Sequence, residues 1–390
     1  MEKYIFIFGN WPKISLKELE KAPNINLNKA EALGEGFALA QSAKNPQEIL
    51  DKLGGTIKIG RFLEKIDNLS QLKKEKWLNW LLANTTNPSE KKINFSFSLY
   101  SGNKKEYQLL DILAKEIKKE LKNQNYKARY VSSQKSVLSS VIVKKNNLLG
   151  KELLIIKEKN SYFLGLTEAV QDFAAYSLRD WQRPSRDDHS GMLPPKLAQM
   201  MINLSGSKNT KNILDPFCGS GTVLQEALLL GFRQIYGTDI SSRAIEASEK
   251  NLLWLKSQKN IQAKIEIKKA DVCNLDKIFT PNSIDLIVTE PFMGDARFIQ
   301  RQNNITSLEK TKTDLQELYL TAFSQFRKIL KKEGKIIFVF PLFNLGQKKL
   351  NTLDIKTITH LGFVCQSADL LYNRDKQKVE RQITIWQKSN

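Results

Sequence analysis

Apolar and polar positions along the chain fall into two regimes. In the first, short runs dominate. Residues 3–8 (KYIFIF), 37–43 (FALAQSA) and 56–63 (TIKIGRFL) read as strands. Ser15 followed three residues later by Glu18 is a capping box that opens a helix over 15–22. A second helix over 46–55 is stopped by Gly54 and Gly55. A third spans 71–84 and ends at a polar breaker, TTNPSE. Beyond it 93–101 reads as a strand, and 111–124 places Ile112, Leu113, Ile117 and Leu121 on one helical face with lysines on the other. Segments 127–133, 140–145, 151–159 and 161–170 read as strands. The pattern predicts two small α+β units, 1–85 and 86–168, and a charged, turn-rich linker over 169–190.

From residue 191 to 390 the rhythm changes to longer, strictly alternating elements. Strands at 212–217, 234–240, 264–271, 284–290 and 334–343 are interleaved with helices at 221–230, 242–257, 313–331 and 347–361. Two closing strands, 369–373 and 381–388, follow. Alternation of this kind predicts an α/β fold with a doubly wound sheet. There is no internal repeat and no low-complexity tract.

Composition narrows the class. The chain of 390 residues carries 61 Lys and Arg against 41 Asp and Glu, a net charge of +20, and is 41% hydrophobic, enough for packed cores. Residues 86–168 hold 16 basic and 8 acidic side chains, a net +8 that nearly equals the +9 of residues 169–390. Such a concentration fits a docking surface for phosphates as well as a solvated lysine-rich face. Three separated cysteines (Cys218, Cys273, Cys365) and two histidines (His189, His360) argue against a disulfide framework and against a metal site. The amino terminus reads as a strand, not a signal peptide, and no apolar stretch approaches a membrane span, so a cytoplasmic protein is expected.

The sharpest motif is Leu214-Asp215-Pro216-Phe217-Cys218-Gly219-Ser220-Gly221-Thr222, set between an apolar strand and an apolar helix. Gly219 and Gly221 allow a tight turn and close approach of a ligand, and the helix amino terminus adds a positive dipole end. A second strand ends in Asp239, suited to two ribose hydroxyls, and a third in Asp271, suited to an adenine amino group. Acids after three successive strands fit a nucleoside ligand. Capping of the following helices is the alternative for Asp239 and Asp271. The candidate cofactor residues are Asp215, Phe217, Gly219, Gly221, Asp239, Ile240, Asp271 and Val272.

The loop lacks the GxGxxG of a dinucleotide site. With its preceding Asp-Pro-Phe it resembles the S-adenosylmethionine-binding loop of class I methyltransferases that modify amino groups of nucleobases. The resemblance gives a meaning to the fourth strand end, Val288-Thr289-Glu290-Pro291-Phe292-Met293-Gly294. An exocyclic amine is a poor nucleophile because its lone pair is delocalised into the base. A carboxylate and a backbone carbonyl that accept its two N–H bonds favour the geometry of attack, and an aromatic ring holds the flipped base. The resemblance assigns acceptance to Glu290 and the Pro291 carbonyl, and stacking to Phe292. Glutamate replaces the usual shorter acid or amide, one proline stands where the family has two, and the aromatic follows the acid by two residues instead of three.

Arg179-Asp180-Trp181, Arg183-Pro184-Ser185-Arg186-Asp187, Gly191 to Ala198, and Ile202-Asn203-Leu204 are similar to the segment before the cofactor loop in THUMP-type tRNA guanine-N2 methyltransferases of the guanine-10 kind. Gly54 to Gly60, Phe95 to Tyr100, and the closing Leu371 to Arg374 with Arg381 to Ile383 resemble the same family. The resemblance implies a ferredoxin-like domain over 1–85, a THUMP domain over 86–168 that grips the acceptor end of tRNA, and a Rossmann-like methyltransferase domain over 191–390. It implies transfer to N2 of guanosine 10 by a monomer without metal. A DNA amino-methyltransferase or an inactive RNA-binding homologue would share much of this pattern. Arg183 and Arg186 are expected to contact phosphate or to pair with the neighbouring aspartates. His189 is expected in a turn, Cys218 in packing, and Trp77 and Trp80 in a core. The polar stretch 297–312 is expected as a surface loop or a lid.

Overall fold

The computed structural model describes residues 1–23, 25–85, 92–186, 192–295, 299, 305–344, 349–373 and 377–389, and these form two compact units. The first comprises Met1–Leu16 and Ile25–Phe173. Its eight strands are β1 (Glu2–Phe8), β2 (Glu31–Ala32), β3 (Phe37–Ser42), β4 (Thr56–Ile66), β5 (Lys92–Tyr100), β6 (Lys127–Tyr130), β7 (Glu152–Glu158) and β8 (Ser161–Val170). They make one sheet in the order β2-β3-β1-β4-β8-β7-β5-β6. Strands on either side of residue 85 therefore share a sheet, joined where β4 pairs antiparallel with β8. The breaker at 86–90 lies outside the described residues.

After helices α1 (Pro12–Lys21) and α2 (Pro46–Leu50), helix α3 (Lys74–Ala83) and helix α4 (Lys104–Asn123) cover one face of this sheet, with Trp77, Leu81, Leu110, Ala114, Ile117 and Leu121 buried against Phe95, Phe97 and Ile155. Helix α4 begins earlier than the apolar spacing predicted, because Asn103 and Glu106 form a reciprocal capping box. Segment 140–145, expected as a strand, is a short helix, α5 (Ser140–Lys145). Ser139 caps it by accepting a hydrogen bond from the Ile142 amide, and Val143 is its buried residue. The β-branched run suggested a strand, but its local cap and one-sided burial favour a helical turn.

The second unit, Lys17–Asn24 and Ala174–Asn390, holds the other sheet. Its strands are β9 (Asn212–Asp215), β10 (Gln234–Asp239), β11 (Lys264–Lys269), β12 (Ile284–Thr289), β13 (Leu330–Asn344), β14 (Lys349–Asn351), β15 (Phe363–Tyr372) and β16 (Val379–Lys388). The order is β11-β10-β9-β12-β13-β16-β15, with β14 paired to β13. Strands β9 to β13 run parallel, and β16 is antiparallel to both β13 and β15. The doubly wound, Rossmann-like sheet predicted from the alternation is present. Crossovers leave β9 in opposite directions, so the crevice at the carboxyl ends of β9 and β12 is a topological switch point, where open α/β sheets bind ligands.

Two expectations are corrected here. Residues 347–361 do not form one helix: β14 places Leu350 in the core, and Asp354 then caps a short helix, Ile355–His360. Within 297–312, residues from 305 onward are the first turns of a long helix, Ile305–Ile329, with Leu308 fully buried. Residues 297–298 and 300–304 lie outside the described residues. That long helix buries Leu315, Tyr319, Phe323 and Phe326 against Phe338 and Phe340 of β13. The close ring pairs there, such as Tyr319 and Phe338 with centroids 5.2 Å apart, fix the floor beneath the β12 loop.

Candidate active site

The turn after β9 is built by its own hydrogen bonds. Asp215, only 2% exposed, accepts hydrogen bonds from the Phe217 amide (3.1 Å) and the Thr289 hydroxyl (2.6 Å). The Cys218 amide donates to the Thr238 carbonyl at 3.0 Å, tying the loop to β10. Gly219 and Gly221 have φ of +51° and +82°, a region that disfavours side chains. A Cβ on Gly221 would sit 2.4 Å from the Ser248 hydroxyl oxygen, whereas one on Gly219 would meet nothing within 4 Å. Gly219 thus leaves an open cradle above the start of helix α8 (Thr222–Leu229), which follows α6 (Phe173–Trp181) and α7 (Pro195–Leu204) along the chain. Cys218 is buried, and burial with the adjacent Asp215 and Asp239 charges drives its thiol far up, so it is a packing residue and no nucleophile.

Burial pushes the Asp215 carboxyl up to about 7. The bonds from Thr289 and Phe217 oppose that rise, and the negative charges of Asp239 and Glu290 add to it. Asp239 ends β10 and accepts the Gly219 amide at 3.0 Å and the Ser241 amide at 2.9 Å, so it links the glycine loop to the following helix α9 (Ser242–Lys259). Asp271 accepts the Cys273 amide at 2.9 Å and caps a 3-10 helix, which is the capping alternative for that residue. Ile240 is 66% exposed and offers an apolar surface beside Asp239, whereas Val272 is buried in the core cluster with Leu275.

At the end of β12, Glu290 is gripped by Arg381 of β16. Arg381 Nε donates to one carboxylate oxygen, and Nη2 donates to the other at 3.1 Å. Pro291 is buried and Phe292 is 59% exposed. The buried Tyr319 hydroxyl donates to the Phe292 carbonyl at 2.7 Å and so anchors the loop from below. Thr289 joins the two strand ends, since its hydroxyl reaches Asp215 while its neighbour is Glu290. Neither Arg381 nor Tyr319 was singled out as a site residue from the sequence. The signal for Arg381 is faint, because its strand also carries Glu380, Gln382, Thr384 and Lys388. Tyr319 gives none, because it looks like any core aromatic of its helix.

The segment before the glycine loop braces it. Arg183 is 4% exposed and donates from Nη1 to the Thr222 hydroxyl at 2.8 Å. Arg186 stacks on the Trp181 ring at 4.3 Å. Arg183 therefore neither pairs with a neighbouring aspartate nor reaches outward for phosphate, because burial ties it to helix α8. Asn251 of helix α9 donates to the carbonyls of Ser185 (2.8 Å) and Ser220 (2.9 Å) and so links this segment to the glycine loop. Asp187, His189 and Gly191 lie outside the described residues, as does Arg374. Among the described residues no group of three or more His, Cys, Asp or Glu is placed to hold a metal ion, and no helix is long and apolar enough to cross a membrane.

Residues 182–356 match a family model described as an RMKL-like methyltransferase domain, and residues 54–250 match one described as a DNA methylase. The chain is 40% identical over 106 residues to a tRNA (guanine(10)-N2)-dimethyltransferase of Methanothermobacter thermautotrophicus, covering 27% of this chain and 29% of that protein. It is 32% identical over 146 residues to the "Probable tRNA (guanine(10)-N2)-dimethyltransferase" of Methanothermococcus thermolithotrophicus, covering 37% of this chain and 78% of that one. The chain belongs to the S-adenosylmethionine-dependent methyltransferases related to these enzymes. In three such relatives the match spans between 29% and 52% of their own length. The fold of this methyltransferase is also that of TrmN from Thermus thermophilus, with a TM-score of 0.58, 15% identity and 99% of both chains covered. S-adenosylmethionine is the cofactor. The open cradle at Gly219 and the carboxylates of Asp215, Asp239 and Glu290 around it fit a cationic nucleoside.

Proposed function

We propose that this methyltransferase acts on tRNA, moving a methyl group to the exocyclic N2 of a guanosine, guanosine 10 by resemblance, as a cytoplasmic monomer. The observation that carries the reading is the placement of Glu290 at the end of β12. Its carboxylate lies one residue from Thr289, which bonds Asp215 of the glycine loop. Glu290, as the proposed amine acceptor, would thus meet the cradle at Gly219 at the switch point of one sheet.

When bound, the cofactor supplies a methyl group already activated by its sulfonium, so no metal is required. Asp239 would hold the ribose, with Ile240 beside the adenine and Asp271 at its amino group. Gly219 leaves room for the ligand and Asp215 contributes negative charge toward its cationic part. Glu290 and the Pro291 carbonyl would accept the two N–H bonds of the guanine amine and direct its lone pair at the methyl carbon. Phe292, exposed at the mouth of the site, would stack on the base once it is flipped from its neighbours. The Phe292 carbonyl accepts Tyr319, which anchors the loop that carries the Pro291 carbonyl. Residues 86–168, read as a THUMP domain with net charge +8, would grip tRNA through its phosphates. The DNA-methylase match makes duplex DNA the competing substrate. Labelled cofactor incubated with tRNA or duplex DNA tests the reading. Label in tRNA supports it, and label in DNA alone overturns it.

A further inference from the structure

We infer that Arg381 is a positioning residue for methyl transfer, which orients the Glu290 carboxylate for the incoming amine; this deepens the reading proposed above and rests on it. The register shows how the two residues meet. Thr289 of β12 lies opposite Phe338 of β13, and β13 in turn places Pro341 opposite Arg381 of β16. Arg381 thus stands two strands away from Glu290, across β13, and beyond the last paired residue of β12. Two strand spacings are roughly 9–10 Å. A guanidinium arm from one side and a carboxylate arm from the other must close that gap. Glutamate, one carbon longer than aspartate, gives the acid its extra reach. The departure of this loop from the family's shorter residue has a physical reason here: Glu290 extends sideways to Arg381.

The pair is built for orientation. Both carboxylate oxygens are engaged, one by Nε and the other by Nη2, in the planar fork that only arginine offers. The side chains of Arg381 and Glu290 are 8% and 11% exposed, so little water competes. The Tyr372 ring lies 6.0 Å from the guanidinium carbon. Each carboxylate oxygen keeps a second lone pair after accepting one N–H. With the plane of the carboxylate fixed, those lone pairs have one available direction, and a substrate amine finds an acceptor already aligned. Tyr319 fixes the other side of the loop through the Phe292 carbonyl, so Glu290 is held at the side chain and its loop at the backbone.

Single-turnover transfer to tRNA at saturating cofactor separates this role from a merely structural ion pair. Arg381→Ala should slow the chemical step by about 100-fold, the scale of a misplaced reacting group, while calorimetric cofactor affinity stays within about twofold. Added millimolar guanidinium should restore part of the rate in Arg381→Ala but none in Glu290→Ala. The double variant Glu290→Ala/Arg381→Ala should be no slower than Glu290→Ala alone, since Arg381 acts through Glu290. Arg381→Lys keeps the charge but loses the fork. It should fold with an unchanged melting temperature and still transfer more slowly than the wild type, which covers the case of an unfolded alanine variant. Glu290→Asp, too short for the fork, should resemble Arg381→Lys. A wild-type rate in Arg381→Ala, additive losses in the double variant, or a wild-type rate in Arg381→Lys overturns the role of Arg381 alone. Absence of transfer to tRNA by the wild type overturns both this role and the function on which it rests.

Discussion

At the scale of single residues, the site gathers the acids Asp215, Asp239 and Glu290 at the ends of three strands. Removing Glu290 (Glu290→Ala) should lower transfer by roughly 10²–10³-fold, as loss of one oriented polar group at a reacting centre does, with cofactor affinity intact by calorimetry. Asp239→Ala should weaken cofactor binding by roughly 10–100-fold, the worth of a charged hydrogen bond, because the Gly219 amide loses its acceptor and, on the proposed reading, so does the ribose. Asp215 makes a pH prediction. Its carboxyl is raised by burial from the ordinary 3.8 to about 7, so between those values the folded chain binds a proton that the unfolded chain does not. Stability of the ligand-free protein should therefore fall as pH rises from about 4 to 7 and level off above it. A cationic cofactor favours the ionised form, so its affinity should rise over the same pH range. Asp215→Asn should flatten both profiles; titration of the melting temperature and calorimetry from pH 5 to 8 check this.

At the scale of elements, the glycine turn and the aromatic floor are the features on which the site stands. Gly221→Ala forces a side chain onto φ +82° and into the Ser248 hydroxyl, so it should cost about 1–3 kcal/mol and weaken cofactor binding together, read by denaturant melts and calorimetry. Phe323→Ala should cost about 3–5 kcal/mol, since that ring meets Phe326, Phe338 and Trp386 in the core. The alternation of strands and helices after residue 191 was readable because buried parallel strands are continuous apolar runs and their glycines and aspartates punctuate the ends. The glycine loop and the acids 239 and 290 were readable for the same reason. What escaped was set by contacts distant in sequence. Segment 140–145 is β-branched yet helical because Ser139 caps it. Arg183 was readable as a phosphate ligand until burial tied it to Thr222. Arg381 lies 91 residues from Glu290, and only the pairing of β16 beside β13 brings them together.

At the scale of the whole molecule, the question is what the charge of +20 is for. Lysines over residues 86–168 that bind phosphates release counterions, so tRNA affinity should fall steeply and linearly on a logarithmic salt scale. Replacing several of the exposed lysines of α4, such as Lys115, Lys119 and Lys122, with glutamate should weaken tRNA binding and flatten that slope while leaving cofactor affinity unchanged. A tRNA affinity independent of salt would return the charge to composition alone. Substrate identity is the claim on which the account depends. It is tested most directly by incubating the full chain with labelled S-adenosylmethionine and unmodified tRNA, then digesting the tRNA to nucleosides for mass spectrometry. The account predicts label in N2-methylated guanosine, absent with Glu290→Ala. Label confined to any other nucleoside, or none in tRNA while duplex DNA is methylated, would contradict it.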